Sequence, residues 1–255
     1  MSKFFFRPVS ALRHTLIGRP LYKPLRSFYQ SLFDRDAFRQ RKRRRAFYSG
    51  FIHPEDLVFD VGANVGIYAE ALCEAGATVV AIEPDPRNAE VLRRRLKDKL
   101  AHIEQCALGR KEGAAELHIA SDRDDVSTLS DQWAKNSNMN WQGTVQVQVR
   151  TLDSIAKDYG IPKYVKVDAE GYDAEVLLGM SFRPQMVSFE FLPGDLKIAR
   201  DCIQLLREWS FNFVIEERCR FELNQWVGGE EIIKALSASS SGVNYGDVFA
   251  KAPET

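Results

Sequence analysis

The stretch VFDVGANVGIYAEALCEAGATVVAIEPDP, residues 58–86, constrains the fold more than any other part of this 255-residue chain. A short apolar run leads into a glycine-containing turn, then a segment with helical spacing, a second apolar run and the acidic residue Glu83. This order is typical of two parallel strands joined by a helix, with a nucleotide-like ligand bound at the turn. It predicts an α/β protein whose ligand is either a dinucleotide that carries hydride or S-adenosylmethionine, which carries a methyl group.

The alternation of strands and helices continues along the chain, with one interruption. HIEQCAL predicts a third strand, and YVKVD, QMVSFEF, FNFVIEE and YGDVFAKA predict later ones. Between them, AAELHIA and TVQVQVR alternate apolar and polar residues with a period of two, which indicates half-exposed antiparallel strands. We therefore expect a mostly parallel sheet with helices on both faces and a small antiparallel hairpin insertion.

The first 50 residues differ in charge from the rest. They contain 13 Lys or Arg against two acids, whereas residues 51–255 contain 22 against 33. We expect a basic, helical N-terminal extension over residues 1–50 and one catalytic-type domain over 51–255. A charge run fixes the sign of a partner but not its identity, so an anionic molecule or an acidic membrane surface is the expectation. No recognisable nucleic-acid-reading motif accompanies the arginines.

Composition excludes several classes of protein. No run approaches the roughly 20 apolar residues that a membrane span requires, and the first residues lack the apolar core of a secretory signal. The four cysteines have no C-x-x-C spacing and the four histidines are dispersed, so we expect reduced thiols, no metal site and a cytoplasmic protein.

Four acids follow apolar runs and mark the expected ligand side of the sheet. In an open α/β sheet, ligands bind beyond the carboxyl ends of the strands. Asp60, Glu83, Asp168 and Glu190 each close such a run. One acid of this kind is commonly a helix cap, but four in equivalent positions indicate a shared site.

The glycine turn favours S-adenosylmethionine over a dinucleotide. In the fingerprint G-x-G-x-x-G, the second glycine lets the backbone approach a pyrophosphate. Counting from Gly62, Asn64 and Ile67 stand where the second and third glycines are required. Asp60 adds a negative charge before the turn, which disfavours a pyrophosphate and favours the cationic amino and sulfonium groups of S-adenosylmethionine. Glu83 suits hydrogen bonds to ribose hydroxyls in either case.

FDVGANVG, IEPDP, ALG, TLDSI and VKVDAEGYDAEVLLG occur in this order. Over roughly residues 56–217, the chain resembles the FkbM-type family of S-adenosylmethionine-dependent methyltransferases. The resemblance implies a class I methyltransferase, Rossmann-like fold with a seven-stranded, mostly parallel sheet and an antiparallel strand near the C-terminus. It also implies three sets of cofactor contacts. The methionine part is wrapped by Asp60, Gly62, Asn64 and Gly66. The ribose is held by Glu83, and the adenine is contacted by Cys106 and Ala107.

The resemblance further implies an O-methyltransferase acting on a hydroxylated small molecule such as a sugar or natural product. A carboxylate near the hydroxyl could accept its proton, and Asp168, Glu170 and Glu190 are the candidates, with Asp168 first. Ser127 and Trp133, in a polar loop, are candidate substrate contacts. A nicotinamide-dependent oxidoreductase and a non-catalytic protein that binds S-adenosylmethionine are the alternatives.

Overall fold

The computed structural model describes residues 36–99, 101–120, 127–130, 134–135, 140–239 and 242–254. The chain divides into two compact units, Met1–Arg44 and Arg45–Thr255. Residues 36–48 form a helix, α1, while residues 1–35 of the predicted basic extension lie outside the described residues. Within the described ranges, no helix combines the length and the apolar character that crossing a bilayer requires.

The second unit alternates strands and helices, as the sequence predicts. Its strands are β1 (Leu57–Val61), β2 (Thr78–Ile82), β3 (Ala101–Glu104), β4 (Ala107–Leu108), β5 (Gly113–Ala120), β6 (Ser127–Thr128), β7 (Trp141–Arg150), β8 (Tyr164–Val167), β9 (Met186–Phe191), β10 (Ser210–Ile215) and β11 (Gly246–Lys251). Its helices are α2 (Ile67–Ala75), α3 (Pro86–Leu96), α4 (Leu152–Tyr159), α5 (Asp173–Leu177), α6 (Lys197–Leu205) and α7 (Gly229–Ala238).

The main sheet has seven strands in the order β10-β11-β9-β8-β1-β2-β3. Its β1, β2, β3, β8 and β9 strands pair in parallel, whereas β11 runs antiparallel between β9 and β10. The prediction of a mostly parallel α/β sheet with an antiparallel strand near the C-terminus is confirmed. Strand order reverses between β1 and β8, and such a switch point leaves a crevice at the carboxyl ends of the strands.

A second, four-stranded sheet extends the predicted hairpin. Strands β5 and β7 pair antiparallel, and β6 and β4 add to them in the order β4-β7-β5-β6. The prediction of one third strand over HIEQCAL is wrong, because the structure has two strands in this segment. The chain leaves the main sheet after β3 and enters the second sheet as β4. Alternate residues of this segment then serve two cores: Cys106 and Leu108 pack in the main core, and Ala107 packs beneath the second sheet.

Two helices differ from what the sequence predicts. The pattern of residues 195–209 predicts one helix over that whole range, but the helix in the structure is shorter and spans Lys197–Leu205. The helix α7 was not predicted, although Ile232 and Leu236 lie four residues apart and are both buried. Two glutamates in its first turn complement the helix dipole.

The two faces of the main sheet differ in what they bury. Phe59 and Val61 of β1 point into one apolar core, and Val58 points into the other. Because side chains alternate along a strand, Asp60 shares the face of Val58, and Lys166 of β8 shares the face of Tyr164. Both charged side chains are almost fully buried. The charged side chains of Asp60 and Lys166 therefore form a buried cluster inside an otherwise apolar layer, next to the carboxyl ends of the strands.

Candidate active site

A cleft opens at the carboxyl ends of β1, β2 and β8, where the strand order reverses. It is bounded by the turn after β1, the end of β2, the β4 strand, the β6 strand and the turn after β8. The side chains that line it include Asn64, Tyr68, Glu83, Cys106, Ala107, Leu108, Ser127, Thr128, Asp168 and Glu170. The cleft thus brings together residues from the whole span of the predicted site.

The glycine turn packs directly against the end of β8. Gly62 has a φ of 75°, and a Cβ atom there would lie 1.9 Å from the carbonyl oxygen of Asp168. Gly66, with a φ of 82°, precedes α2, and a Cβ atom would lie 2.5 Å from Cδ1 of Leu92 on α3. Both positions combine a left-handed backbone with a close approach, so both require glycine. Gly62 lines the cleft, whereas Gly66 shapes the turn and is not among the lining residues.

Asn64 explains how the turn forms without the second glycine of a dinucleotide site. Its φ is 53°, a left-handed conformation that asparagine adopts more readily than most residues. Its side-chain oxygen accepts a hydrogen bond of 2.6 Å from the Val65 amide. Its own amide donates to Oε2 of Glu83 at 2.7 Å. This amide is therefore already bonded to the Glu83 carboxylate and does not face the ligand as a donor for a pyrophosphate.

Glu83 ties the first two strands together at the floor of the cleft. Its Oε1 accepts a hydrogen bond from the Asp85 amide at 2.8 Å, while Oε2 accepts from the Asn64 amide. Burial raises the pKa of Glu83 to about 7, although these two amides oppose the shift. Each oxygen keeps a second lone pair, and the side chain lines the cleft. The carboxylate can therefore accept hydrogen bonds from the two hydroxyls of a ribose.

We expect Glu83→Ala to weaken S-adenosylmethionine binding roughly 10- to 100-fold, since a hydrogen bond to a charged group contributes about 1.5–3 kcal/mol. Isothermal titration calorimetry measures the change, with Glu90→Ala on the exposed side of α3 as the matched control. Wild-type affinity should also rise as pH increases through 7, because only the ionised carboxylate accepts both ribose hydrogen bonds. An unchanged affinity in Glu83→Ala would show that this carboxylate does not hold the cofactor.

Asp60 lies beneath the turn and is not a lining residue. Its side chain is fully buried, and neither oxygen makes a hydrogen bond within the described part of the chain, although the Ala69 amide is close enough to lower its pKa. Burial raises this pKa to about 6; Lys166 opposes the shift and Asp168 adds to it. The resemblance implies that Asp60 helps to wrap the methionine part of the cofactor, and in the structure its carboxylate lies buried beneath the turn and not on the cleft surface.

The opposite end of the cleft is apolar. Cys106 and Ala107, both predicted to lie near an adenine, line it together with Leu108 and Leu117. Burial raises the pKa of the Cys106 thiol to about 12, so it remains protonated and serves as a small apolar surface. The preceding residue, Gln105, points away and accepts a hydrogen bond of 2.8 Å from Arg93 on the exposed surface.

The three candidate bases occupy different places. Asp168 lines the cleft, and one of its oxygens accepts a hydrogen bond of 2.8 Å from Lys166. Glu170 also lines the cleft; its φ is 48°, and its carbonyl accepts a hydrogen bond of 2.8 Å from the Thr128 hydroxyl. Glu190 is half-buried behind them and is not among the lining residues. Burial, reinforced by Asp168 and Glu170, raises the pKa of Glu190 well above its usual value.

The structure describes one of the two predicted substrate contacts. Ser127 lines the cleft from β6, next to Thr128, whereas Trp133 lies outside the described residues. Sequence reasoning missed Tyr68, which lines the cleft from the first turn of α2 and donates a hydrogen bond of 3.1 Å to Glu217. Its position directly after the glycine turn was the available signal, because the first helical turn after such a motif faces the ligand.

Four buried carboxyl groups with raised pKa values predict a specific dependence of stability on pH. These values are about 6 for Asp60 and Asp173 and about 7 for Glu83 and Asp247. At pH 5 the folded protein holds these protons while the unfolded chain has lost most of them, and the folded protein releases them as pH rises through 6 and 7. The free energy of unfolding should therefore fall as pH rises, since each pKa unit corresponds to about 1.4 kcal/mol. Urea unfolding at pH 5 and pH 8 tests this expectation; greater stability at pH 8 would contradict it.

Comparison with known proteins identifies the family. Residues 60–238 match the Methyltransferase FkbM domain. The chain belongs to the FkbM methyltransferase family. S-adenosylmethionine is accordingly its cofactor, and the nicotinamide alternative is not supported. Over 173 residues the chain is 29% identical to the hexuronic acid methyltransferase AglP of Haloferax volcanii, covering 66% of this chain and 68% of that protein.

Solved structures similar to this FkbM-family chain include two methyltransferases. One is a precorrin-6y C5,15-methyltransferase from Geobacter metallireducens, with a TM-score of 0.41 and 10% identity over 82% of this chain and 87% of that one. Another is a TehB-like S-adenosylmethionine-dependent methyltransferase from Corynebacterium glutamicum, with a TM-score of 0.43 and 8% identity over 83% and 88% of the two chains.

The chemistry of the cleft fits S-adenosylmethionine. The described lining residues include Glu83, Asp168 and Glu170 but no Lys, Arg or His. The buried carboxylate of Asp60 adds negative charge beneath the turn. A cofactor with a sulfonium and an amino group suits this field, whereas a pyrophosphate does not. Cys106, Ala107 and Leu108 offer an apolar surface for the adenine ring.

Proposed function

We propose that this FkbM methyltransferase transfers the methyl group of S-adenosylmethionine to a hydroxyl oxygen of a small molecule such as a sugar. The observation that carries the proposal is the position of Asp168. Its carboxylate stands at the wall of the cofactor cleft, at the carboxyl end of β8, and Lys166 holds it from behind at 2.8 Å. A hydroxyl is a poor nucleophile until its proton has an acceptor, and this carboxylate is placed to accept it.

Each residue of the cleft has a distinct task in this reaction. When bound, S-adenosylmethionine supplies an electrophilic methyl group with a good leaving group already attached. Glu83 holds the ribose, and the apolar surface around Cys106 holds the adenine, so the reactive end is directed toward β8. Asp168 receives the proton of the acceptor hydroxyl as the oxygen attacks. The main contribution of the protein is to bring the oxygen within about 3 Å of the methyl carbon and to exclude water.

Two further observations support a polar, hydroxylated acceptor. Ser127, Thr128 and Tyr172 line the cleft beside Asp168 and Glu170, so the space next to Asp168 is rich in hydroxyl groups. The related protein AglP is named as a hexuronic acid methyltransferase, and hexuronic acids carry several hydroxyls. The alternative of a non-catalytic protein predicts that the cofactor binds and that no acceptor is methylated.

A labelled-methyl assay tests the proposal. The purified protein is incubated with S-adenosylmethionine carrying a ¹³C methyl group and a panel of neutral sugars, hexuronic acids, their glycosides and phenols. Mass spectrometry then detects products that gain one labelled methyl group. The proposal predicts such a product among the hydroxylated compounds. Labelling confined to amines or thiols offered in parallel would contradict it, and cofactor binding without any transfer would favour the non-catalytic alternative.

A further inference from the structure

Lys166 lies behind Asp168 at the wall of the cleft, in the cluster of charged side chains buried on one face of the main sheet. Its side chain is 2% exposed, whereas that of its partner Asp168 is 31% exposed. The ammonium nitrogen is 2.8 Å from an oxygen of Asp168 and 4.5 Å from the centre of the Tyr68 ring. It therefore bridges a cleft-lining carboxylate and a cleft-lining aromatic ring without reaching the cleft itself.

Acidic groups face Lys166 from several elements. The charged and titratable groups that interact electrostatically with it are Asp60 of β1, Tyr68 of α2, Tyr164 of β8, Asp168 after β8 and Asp247 of β11. Burial by itself lowers the pKa of Lys166, but the surrounding carboxylates outweigh burial and keep it well above its ordinary value. Lys166 is thus a permanent cation throughout the physiological range.

The choice of partner shows what this cation does. A buried ammonium is stable only when it is paired and hydrogen-bonded. The fully buried carboxylate of Asp60 is close enough to interact with Lys166, yet in the described part of the chain neither of its oxygens accepts a hydrogen bond from this ammonium. Lys166 instead donates to the partly exposed Asp168. A hydrogen bond from Lys166 to Asp60 would stabilise the fold equally well. Because Lys166 bonds to Asp168 instead, its charge acts on a carboxylate that lines the cleft.

We propose that Lys166 is a positioning residue that holds the Asp168 carboxylate at the wall of the cleft where cofactor and acceptor meet. This inference rests on the proposed function only in taking Asp168 as the acceptor-facing carboxylate. It concerns the charge and placement of that group and can be tested with the cofactor alone.

The test is the number of protons released when S-adenosylmethionine binds, measured by calorimetry at pH 7 in buffers with different ionisation enthalpies. Removing the ammonium in Lys166→Met leaves Asp60, Asp168 and Asp247 repelling one another, so the group takes up a proton before the cationic cofactor arrives. Binding then expels it, and we expect at least about half a proton more than in the wild type. Lys166→Arg, which keeps the charge, should resemble the wild type, and the double variant Lys166→Met/Asp168→Asn, which has one acid fewer in the group, should release fewer protons than Lys166→Met.

A purely structural role gives different results. Proton release equal in Lys166→Met and the wild type would overturn the proposal, as would equal release by Lys166→Met and the double variant. If Lys166→Met does not fold, thermal unfolding becomes the measurement. The double variant, in which neither partner is charged, should then recover folding, and a double variant that is also unfolded would count against the pairing. Because no acceptor is present, these outcomes do not depend on whether hydroxyl methylation is found.

Discussion

Asp168→Asn is expected to lower the turnover number for hydroxyl methylation by about 100- to 10,000-fold, the range that general-base catalysis typically contributes. Asparagine has nearly the same shape as aspartate and fits beside Lys166, but it cannot accept the proton of the attacking hydroxyl. Affinity for S-adenosylmethionine should change less than turnover, because Glu83 and the adenine surface remain. Steady-state kinetics with an acceptor identified in the labelled-methyl assay, combined with calorimetry, separates the two quantities.

The matched control for this substitution is Glu116→Gln, which removes one carboxylate from the exposed face of β5. It should leave turnover and affinity unchanged. A pH profile adds a second criterion, since loss of a base removes the dependence on its ionisation while a loss of packing does not. Turnover within about threefold of the wild type in Asp168→Asn would remove Asp168 as the base. Glu170, which also lines the cleft, would then be the next candidate.

Gly62→Ala is expected to abolish cofactor binding, with an affinity loss of more than about 100-fold. An alanine in the left-handed region is strained by about 1–2 kcal/mol. The larger effect is steric, because the added Cβ would lie 1.9 Å from the carbonyl oxygen of Asp168. The turn and the end of β8 must separate, which displaces both the cofactor floor and the proposed base. We expect the melting temperature to fall by about 10 °C, since the strain and the overlap together cost several kcal/mol.

Gly113→Ala is the control, because Gly113 lies on the exposed start of β5 and no atom comes within 4 Å of a Cβ placed there. It should bind S-adenosylmethionine as the wild type does and keep its melting temperature. Calorimetry and thermal unfolding of the two alanine variants together separate a local effect at the turn from a general effect of losing a glycine. Normal binding by Gly62→Ala would contradict the account of the turn.

Much of the fold follows from local patterns in the sequence. The apolar runs and the helix signals between them predict the parallel strands, and the period of two predicts the antiparallel pair β5 and β7. The cofactor floor is also local, because Gly62, Asn64 and Glu83 fall within one βαβ unit. The structure places each of these three residues at the cleft. Short-range spacing carries enough information for such a unit.

The parts that were not predicted depend on which strands become neighbours. The contact between Tyr68 and Glu217 joins residues 149 positions apart, so no local spacing reveals it. Asp60 and Glu190 lie within β1 and β9 and not after them, so their side chains project onto the faces of the sheet, where elements distant in sequence cover them. Lys166 illustrates the same point, because its importance depends on β1 and β11 contributing Asp60 and Asp247 from both sides.

We expect the transferred methyl group to arrive on an oxygen atom beside Asp168. The most direct measurement is the nuclear magnetic resonance spectrum of the product formed with ¹³C-methyl S-adenosylmethionine, which identifies the atom that carries the label. The account predicts a methyl ether on a hydroxyl oxygen, formed by the wild type and at least about 100-fold more slowly by Asp168→Asn. A label on nitrogen, sulfur or carbon, or equal rates for the two proteins, would contradict it.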